Sequence, residues 1–127
     1  MNCGAIYLKA YSVGQNAGEE SRPTPVVFYE ADLLDRPIGK SYYEAEGVCG
    51  FAGVEVRPAS YAGKKDCEFV QYCRTNRIGY YNDYYKCWYI PCHEYGQSMQ
   101  RKEAFAEAFA QVLKENGIQA NATSRMD

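Results

Sequence analysis

With 127 residues, 46% of them hydrophobic and 24% charged, the chain is long enough to bury one core and favours a single domain. No apolar run approaches the roughly 18 residues needed to cross a bilayer, and Met1-Asn2-Cys3-Gly4-Ala5-Ile6-Tyr7 lacks the basic segment followed by an apolar one that marks a secretory signal, so a cytoplasmic location without membrane attachment is expected. A net charge of −2 is too small for the chain as a whole to be a polyanion-binding surface, whereas 13 tyrosines suit strands and half-wet contact surfaces.

In chain order, the alternation of Ile6, Leu8 and Ala10 with Tyr7, Lys9 and Tyr11 predicts a first strand over residues 5–13. Residues 14–25, polar and rich in Gly, Ser and Pro, read as a loop. Residues 26–31 form a second strand, dense in β-branched and aromatic side chains, and Asp35-Arg36-Pro37-Ile38-Gly39 marks a turn within residues 32–39. Two further strands are predicted over 40–48 and 51–57, where Gly47, Gly50 and Gly53 suggest a bulge or a close backbone approach. After a loop at 60–65, strands follow over 68–74, 77–81 and 84–90. The helix comes last: Ser98 can cap its start, Gly117 can end it in the left-handed conformation, and Phe105, Phe109, Val112 and Leu113 fall on one stripe. The sum is an α+β fold, an antiparallel sheet of five to six short strands with one C-terminal amphipathic helix packed on one face. The expected domain spans 1–120, with 121–127 a flexible tail.

The densest tyrosine cluster reads as a β-hairpin turning at Asn82-Asp83. A two-residue loop there pairs Tyr81 with Tyr84, Tyr80 with Tyr85, Ile78 with Cys87 and Arg77 with Trp88. Side-chain alternation then gathers Ile78, Tyr80, Tyr85, Cys87 and Tyr89 on a core-like face, and Arg77, Tyr81, Tyr84, Lys86 and Trp88 on an aromatic and basic one. Arg77 opposite Trp88 sets up an exposed cation–π contact worth about 0.5–1 kcal/mol. Pro91 would face Arg74 where backbone N–H groups point away from the partner strand, which hints at a sheet edge.

Tyr, Trp and Arg dominate protein-interface hot spots, so Arg77, Tyr81, Tyr84, Lys86 and Trp88 are the candidate partner-binding residues. Single-stranded nucleic acid is the second candidate partner, with bases stacked on rings and cations along phosphates. The plain alternative is that the rings merely cover the sheet. Charge is unevenly spread: residues 1–56 hold 4 Lys/Arg against 8 Asp/Glu, residues 57–102 hold 8 against 4, and residues 103–127 hold 2 against 4. A basic middle between acidic ends can orient a partner, while the overall acidity weighs against nucleic acid.

Catalytic and metal signals are weaker. Cys67, Cys73, Cys87, Cys92 and His93 are soft ligands within 27 residues, yet no C-x2-C knuckle is present and the hairpin register sends Cys87 and His93 to the wrong face. In a reducing compartment these cysteines read as packed thiols rather than disulfides, including Cys73 and Cys92, which the register sets opposite one another. His93, the single histidine, must serve any Cys–His hydrolase or transferase, and Cys49, among glycines, is the cysteine best suited to pair with it, without a third residue to orient them. Cys3 is not N-terminal and is set aside as a nucleophile. The carboxylate pairs Glu30/Asp32 and Glu44/Glu46 lack any supporting motif, and the sequon at Asn121 has no role in a cytosolic chain. No cofactor is expected.

No motif in the chain matches a family. Its profile, short, acidic, tyrosine-rich and without catalytic signatures, is similar to that of many small phage or mobile-element proteins that bind and inhibit a larger host complex. The expectation is a non-catalytic binding or inhibitor module acting through the hairpin. A small zinc-binding or nucleic-acid-binding module and the Cys49–His93 enzyme are the alternatives.

Overall fold

Asn2 opens the first helix: its side chain accepts a hydrogen bond from the Ala5 backbone N–H at 3.0 Å. In this computed structural model, which describes residues 1–23, 25–31, 37–44, 47, 49–96 and 98–126, helix α1 runs from Cys3 to Glu20 and replaces the expected strand over 5–13 and most of the loop after it. Cys3, Tyr7, Ala10, Tyr11, Gly14 and Gly18 recur at helical spacing, and Cys3, Ala10, Gly14 and Gly18 are buried while Leu8 is exposed. The buried stripe consists largely of small residues, so hydrophobicity alone did not reveal it. Each mid-helix glycine costs up to about 1 kcal/mol relative to alanine; close packing offsets that. A Cβ at Gly14 would lie 3.0 Å from the Phe105 ring, and one at Gly18 2.4 Å from the Tyr95 ring. Arg101 closes the helix by donating to the carbonyls of Gly18 and Glu19 at 3.0 and 3.2 Å.

Strands β1 (Val26–Ala31) and β2 (Pro37–Glu44) form a two-stranded antiparallel ribbon, with Val26 opposite Glu44 and Phe28 opposite Tyr42. Residues 32–36, which include Asp35 and Arg36 of the expected turn, lie outside the described residues, as do Asp32 and Glu46 of the two carboxylate pairs, while Pro37, Ile38 and Gly39 begin β2 instead of forming a turn.

The second sheet holds β3 (Gly50–Arg57), β4 (Tyr80–Asn82), β5 (Cys87–Pro91) and β6 (Gln119–Met126) in the order β4-β5-β3-β6, antiparallel throughout. Residues 121–126, read from sequence as a frayed tail, thus belong to β6, paired with β3 along its length. Residues 68–74 are not a strand but lie in helix α2 (Glu68–Thr75), which buries Phe69, Val70 and Cys73 at i, i+1 and i+4 and carries Glu68 in its first turn and Arg74 in its last. Helix α3 (Met99–Glu115) forms where expected. The Ser98 side chain caps its start, Gly117 adopts φ 77°, and the N–H groups of Gly117 and Ile118 donate to the carbonyls of Lys114 and Leu113 at 3.0 Å each, which is a Schellman closure.

The fold is therefore α+β, with three helices and a four-stranded antiparallel sheet among the described residues in place of one helix and five to six strands. Helix α3 packs on β3 and β6, and α1 packs on α3. Alternate residues of the strands, Ala52, Val54 and Val56 with Trp88, Ile90 and Ala120, meet Phe69, Phe105, Phe109 and Leu113 in one core. The intervening residues of those strands make the sheet's second face, which carries no helix among the described residues. None of the described helices is long and apolar enough to cross a membrane.

Candidate binding face

The hairpin exists, but its turn is longer than Asn82-Asp83. Tyr80 faces Tyr89, Tyr81 faces Trp88 and Asn82 faces Cys87, so residues 83–86 form a four-residue loop. Asn82 accepts from the Tyr85 N–H at 2.9 Å, Lys86 takes a left-handed φ of 54°, and its ammonium bonds Asp83 at 3.0 Å. A slip by an even number of residues keeps each residue on the same side of the ribbon. Tyr81 and Trp88 therefore still share one face, and Tyr80, Cys87 and Tyr89 the other.

What reverses is which face is the core. Trp88 pairs with Val56, and Ile90 with Val54, both valines buried; the β3 neighbour decides the orientation of the hairpin. Trp88 is 5% exposed and its Nε1–H donates to the Ile78 carbonyl at 2.7 Å. Arg77 lies beyond α2 with φ 58°, and the cation over the Trp88 ring is Arg74, 4.7 Å from its centre. Tyr81 is half-buried and edge-on to Tyr61, while Tyr84 and Lys86 are exposed in the loop. The five residues expected to share one surface are thus divided among core, loop and helix end. Nor is β5 an edge strand, since it lies between β4 and β3. Cys92 donates to the Ala52 carbonyl at 2.9 Å, so position 91 points its missing N–H away from β3, on a side that β4 does not reach.

The sheet face without a helix among the described residues carries the exposed rings. Tyr80 is 52% and Phe51 40% exposed. The Tyr89 ring lies across Gly53, where a Cβ would stand 2.4 Å from its Cζ and hydroxyl oxygen, so only glycine lets that ring rest on the strand. Burial pushes the Tyr89 hydroxyl up, opposed by a hydrogen bond with Thr123. At the centre Glu55 is held on both oxygens: Oε1 accepts from Asn121 at 3.1 Å, Oε2 accepts from the Cys87 thiol at 3.6 Å, and Arg57 lies 3.6 Å away. Arg57 also donates to the Tyr85 carbonyl at 3.0 Å, tying the loop to the sheet.

Beside this cluster opens a cleft of about 600 Å³, walled by Phe51, Tyr80, Tyr85, Tyr89 and Pro91, with Glu55, His93, Lys102 and Arg125 on its lining. Arg125 and Lys102 approach the Phe51 ring to 5.2 and 5.4 Å. Lys102 comes from α3, is 6% exposed, and donates to the Gly50 carbonyl at 3.4 Å. Sequence alternation had already put Tyr80, Tyr85 and Tyr89 on one side, but as core. Phe51, Lys102 and Arg125 carried no sequence signal, because only the β3–β6 pairing and the α3 crossing bring them together.

The cysteines and His93 do not converge. No group of three or more His, Cys, Asp or Glu among the described residues could hold a metal ion, and all six cysteines are free. Cys73 sits in α2 and Cys92 after β5, no longer opposite one another. Burial pushes the Cys73 thiol up to about 12, and burial with Glu55 nearby pushes Cys87 up to about 11; both are poor thiolates. Cys49 and His93 are exposed; Cys49 pairs with Ser98 in a single backbone bridge and does not line the cleft that includes His93. Neither a protein family, a curated protein nor a solved structure matches this chain.

Proposed function

We propose that the chain is a non-catalytic binding module that engages a protein partner through the sheet face that carries no helix among the described residues, not through the helix side of the hairpin. The observation that supports this reading is the row Tyr80, Tyr85, Tyr89 and Phe51 around one cleft. Large rings with few rotatable bonds concentrate binding energy when a partner desolvates them. An inhibitor of a larger complex would use such a face, as the profile of the sequence suggests.

Single-stranded nucleic acid fits less well. A strand of phosphates needs several cations along its track. Here Arg57 is committed to Glu55 and the Tyr85 carbonyl, and the Glu55 carboxylate stands in the middle of the face.

A photo-crosslinking amino acid at Tyr80 tests the reading in the source cell, with the same group at exposed Lys114 on α3 as control. Tyr80 should give a discrete protein adduct that survives nuclease treatment, and Lys114 none. Equal adducts from both positions, or an adduct that is nucleic acid, would overturn it.

A further inference from the structure

Lys102 is the feature the fold does not account for. Its side chain is buried, yet among the described residues no carboxylate lies within ion-pair distance. One long hydrogen bond to the Gly50 carbonyl and the Phe51 ring are its polar company. An ammonium removed from water without a counter-charge is costly, and a helix position facing Gly50 could be filled by leucine or methionine at no such cost. What Lys102 does have is a place on the lining of the sheet-face cleft, which also includes His93, with Arg125 on the same Phe51 ring.

We infer that this end of the cleft is a pocket for a carboxylate, carried on an acidic side chain of the partner segment. The inference rests on the reading of the sheet face as a docking surface and gives it a chemistry. The cleft's volume is that of a site for a small group, and its walls are rings. The charge count selects the anion. Glu55 is already paired with Arg57 and Arg125 is exposed to water, so the one buried charge to be compensated is the Lys102 ammonium, which a carboxylate matches rather than a dianionic phosphate. An acidic residue entering past Phe51 and Tyr89 would give the buried ammonium a counter-charge and place its own methylenes on the rings.

Benzoate titration of the full chain, followed by amide chemical shifts, reads the pocket without any partner. Benzoate should bind saturably, moving the amides of Phe51, His93 and Arg125. Benzamide, the same ring without charge, should bind at least tenfold more weakly, and phenyl phosphate no better than benzoate. Lys102→Met should cost benzoate at least tenfold and leave benzamide unchanged. Arg125→Gln, at an exposed site that does not endanger folding, should cost benzoate about threefold. Benzamide equal to benzoate, tighter binding of phenyl phosphate, or unchanged benzoate affinity in the folded variants would each overturn the inference. A pocket that ignores benzoate while Tyr80 still crosslinks to protein would remove the carboxylate seat and leave the docking face standing.

Discussion

The guanidinium of Arg74 lies 4.7 Å from the centre of the Trp88 ring, on the core side of the sheet. The same guanidinium is gripped by Asp66, with Nε donating to Oδ2 at 2.8 Å, and by the Ser60 carbonyl at 2.7 Å. The loop between β3 and α2 therefore holds a cation against the ring that β5 contributes. Tryptophan here is a structural residue, and its loss should be read as loss of fold.

Trp88→Ala should destabilise the protein by about 3–5 kcal/mol, the range for removing a large buried aromatic. Trp88→Phe keeps a ring but leaves the Ile78 carbonyl without its donor and should cost about 1–3 kcal/mol. As Trp88 is the single tryptophan, its fluorescence checks the placement directly: blue-shifted and shielded from acrylamide when folded, red-shifted in urea. A native emission already at the solvent-exposed wavelength would contradict the buried position.

Asp66 makes the same contact sensitive to pH. Its side chain is fully buried. Burial raises its carboxyl, but the bonds from Arg74 and the Ser60 N–H prevail and hold it below the usual value of 3.8. A carboxyl held lower in the folded than in the unfolded state gives stability that is complete above the unfolded value and lost as pH falls through the folded one. Asp66→Asn should cost about 2 kcal/mol at pH 7, and the gap from wild type should close as pH drops below about 4. Urea titrations at both pH values measure it; a gap that is constant with pH would rule out the charge as its source.

Helix α1 offers one substitution with two signs. At Gly4 a Cβ would find Tyr72 at 3.6 Å, an ordinary contact. Gly4→Ala should therefore stabilise by about 0.5 kcal/mol through helix propensity alone. At Gly18 the new Cβ would stand 2.4 Å from the Tyr95 ring, whose hydroxyl donates to the Gln15 carbonyl at 2.9 Å. Gly18→Ala should destabilise by about 1–3 kcal/mol despite the same propensity gain. Melting temperatures of the two variants should move in opposite directions.

That helix also shows where sequence reading stops. Helix α3 announced itself by cap, apolar stripe and glycine stop together, so its bounds were legible. In α1 the packing face is Ala10, Gly14 and Gly18, residues whose role depends on Phe105 and Tyr95 far along the chain, while the visible alternation of Ile6, Leu8 and Ala10 mimicked a strand. In the hairpin, alternation set Tyr80 with Tyr89 and Tyr81 with Trp88, as the structure does, while Tyr84 and Tyr85 fall in the loop, where alternation does not apply. It could not say which set faced inward, because both are aromatic, and the deciding residues are Val54 and Val56 on β3. The cleft was illegible for the same reason: Phe51, Lys102 and Arg125 come from three elements that meet only in the fold.

Thiol chemistry separates the remaining alternatives. Cys49 is exposed, whereas Cys3, Cys73, Cys87 and Cys92 are buried, and burial raises each of the buried four, Cys73 to about 12 and Cys87 to about 11. Only the thiolate is alkylated, and only if reached. Iodoacetamide at pH 8 followed by peptide mass spectrometry should label Cys49 first and the buried four only after urea unfolding. Comparing wild type with His93→Ala then asks whether the pair acts together. Labelling of Cys49 at one rate in both proteins is the outcome expected of a binding module. A rate that falls severalfold without His93 would mean the imidazole draws the thiol proton, and would return the chain to the class of Cys–His enzymes.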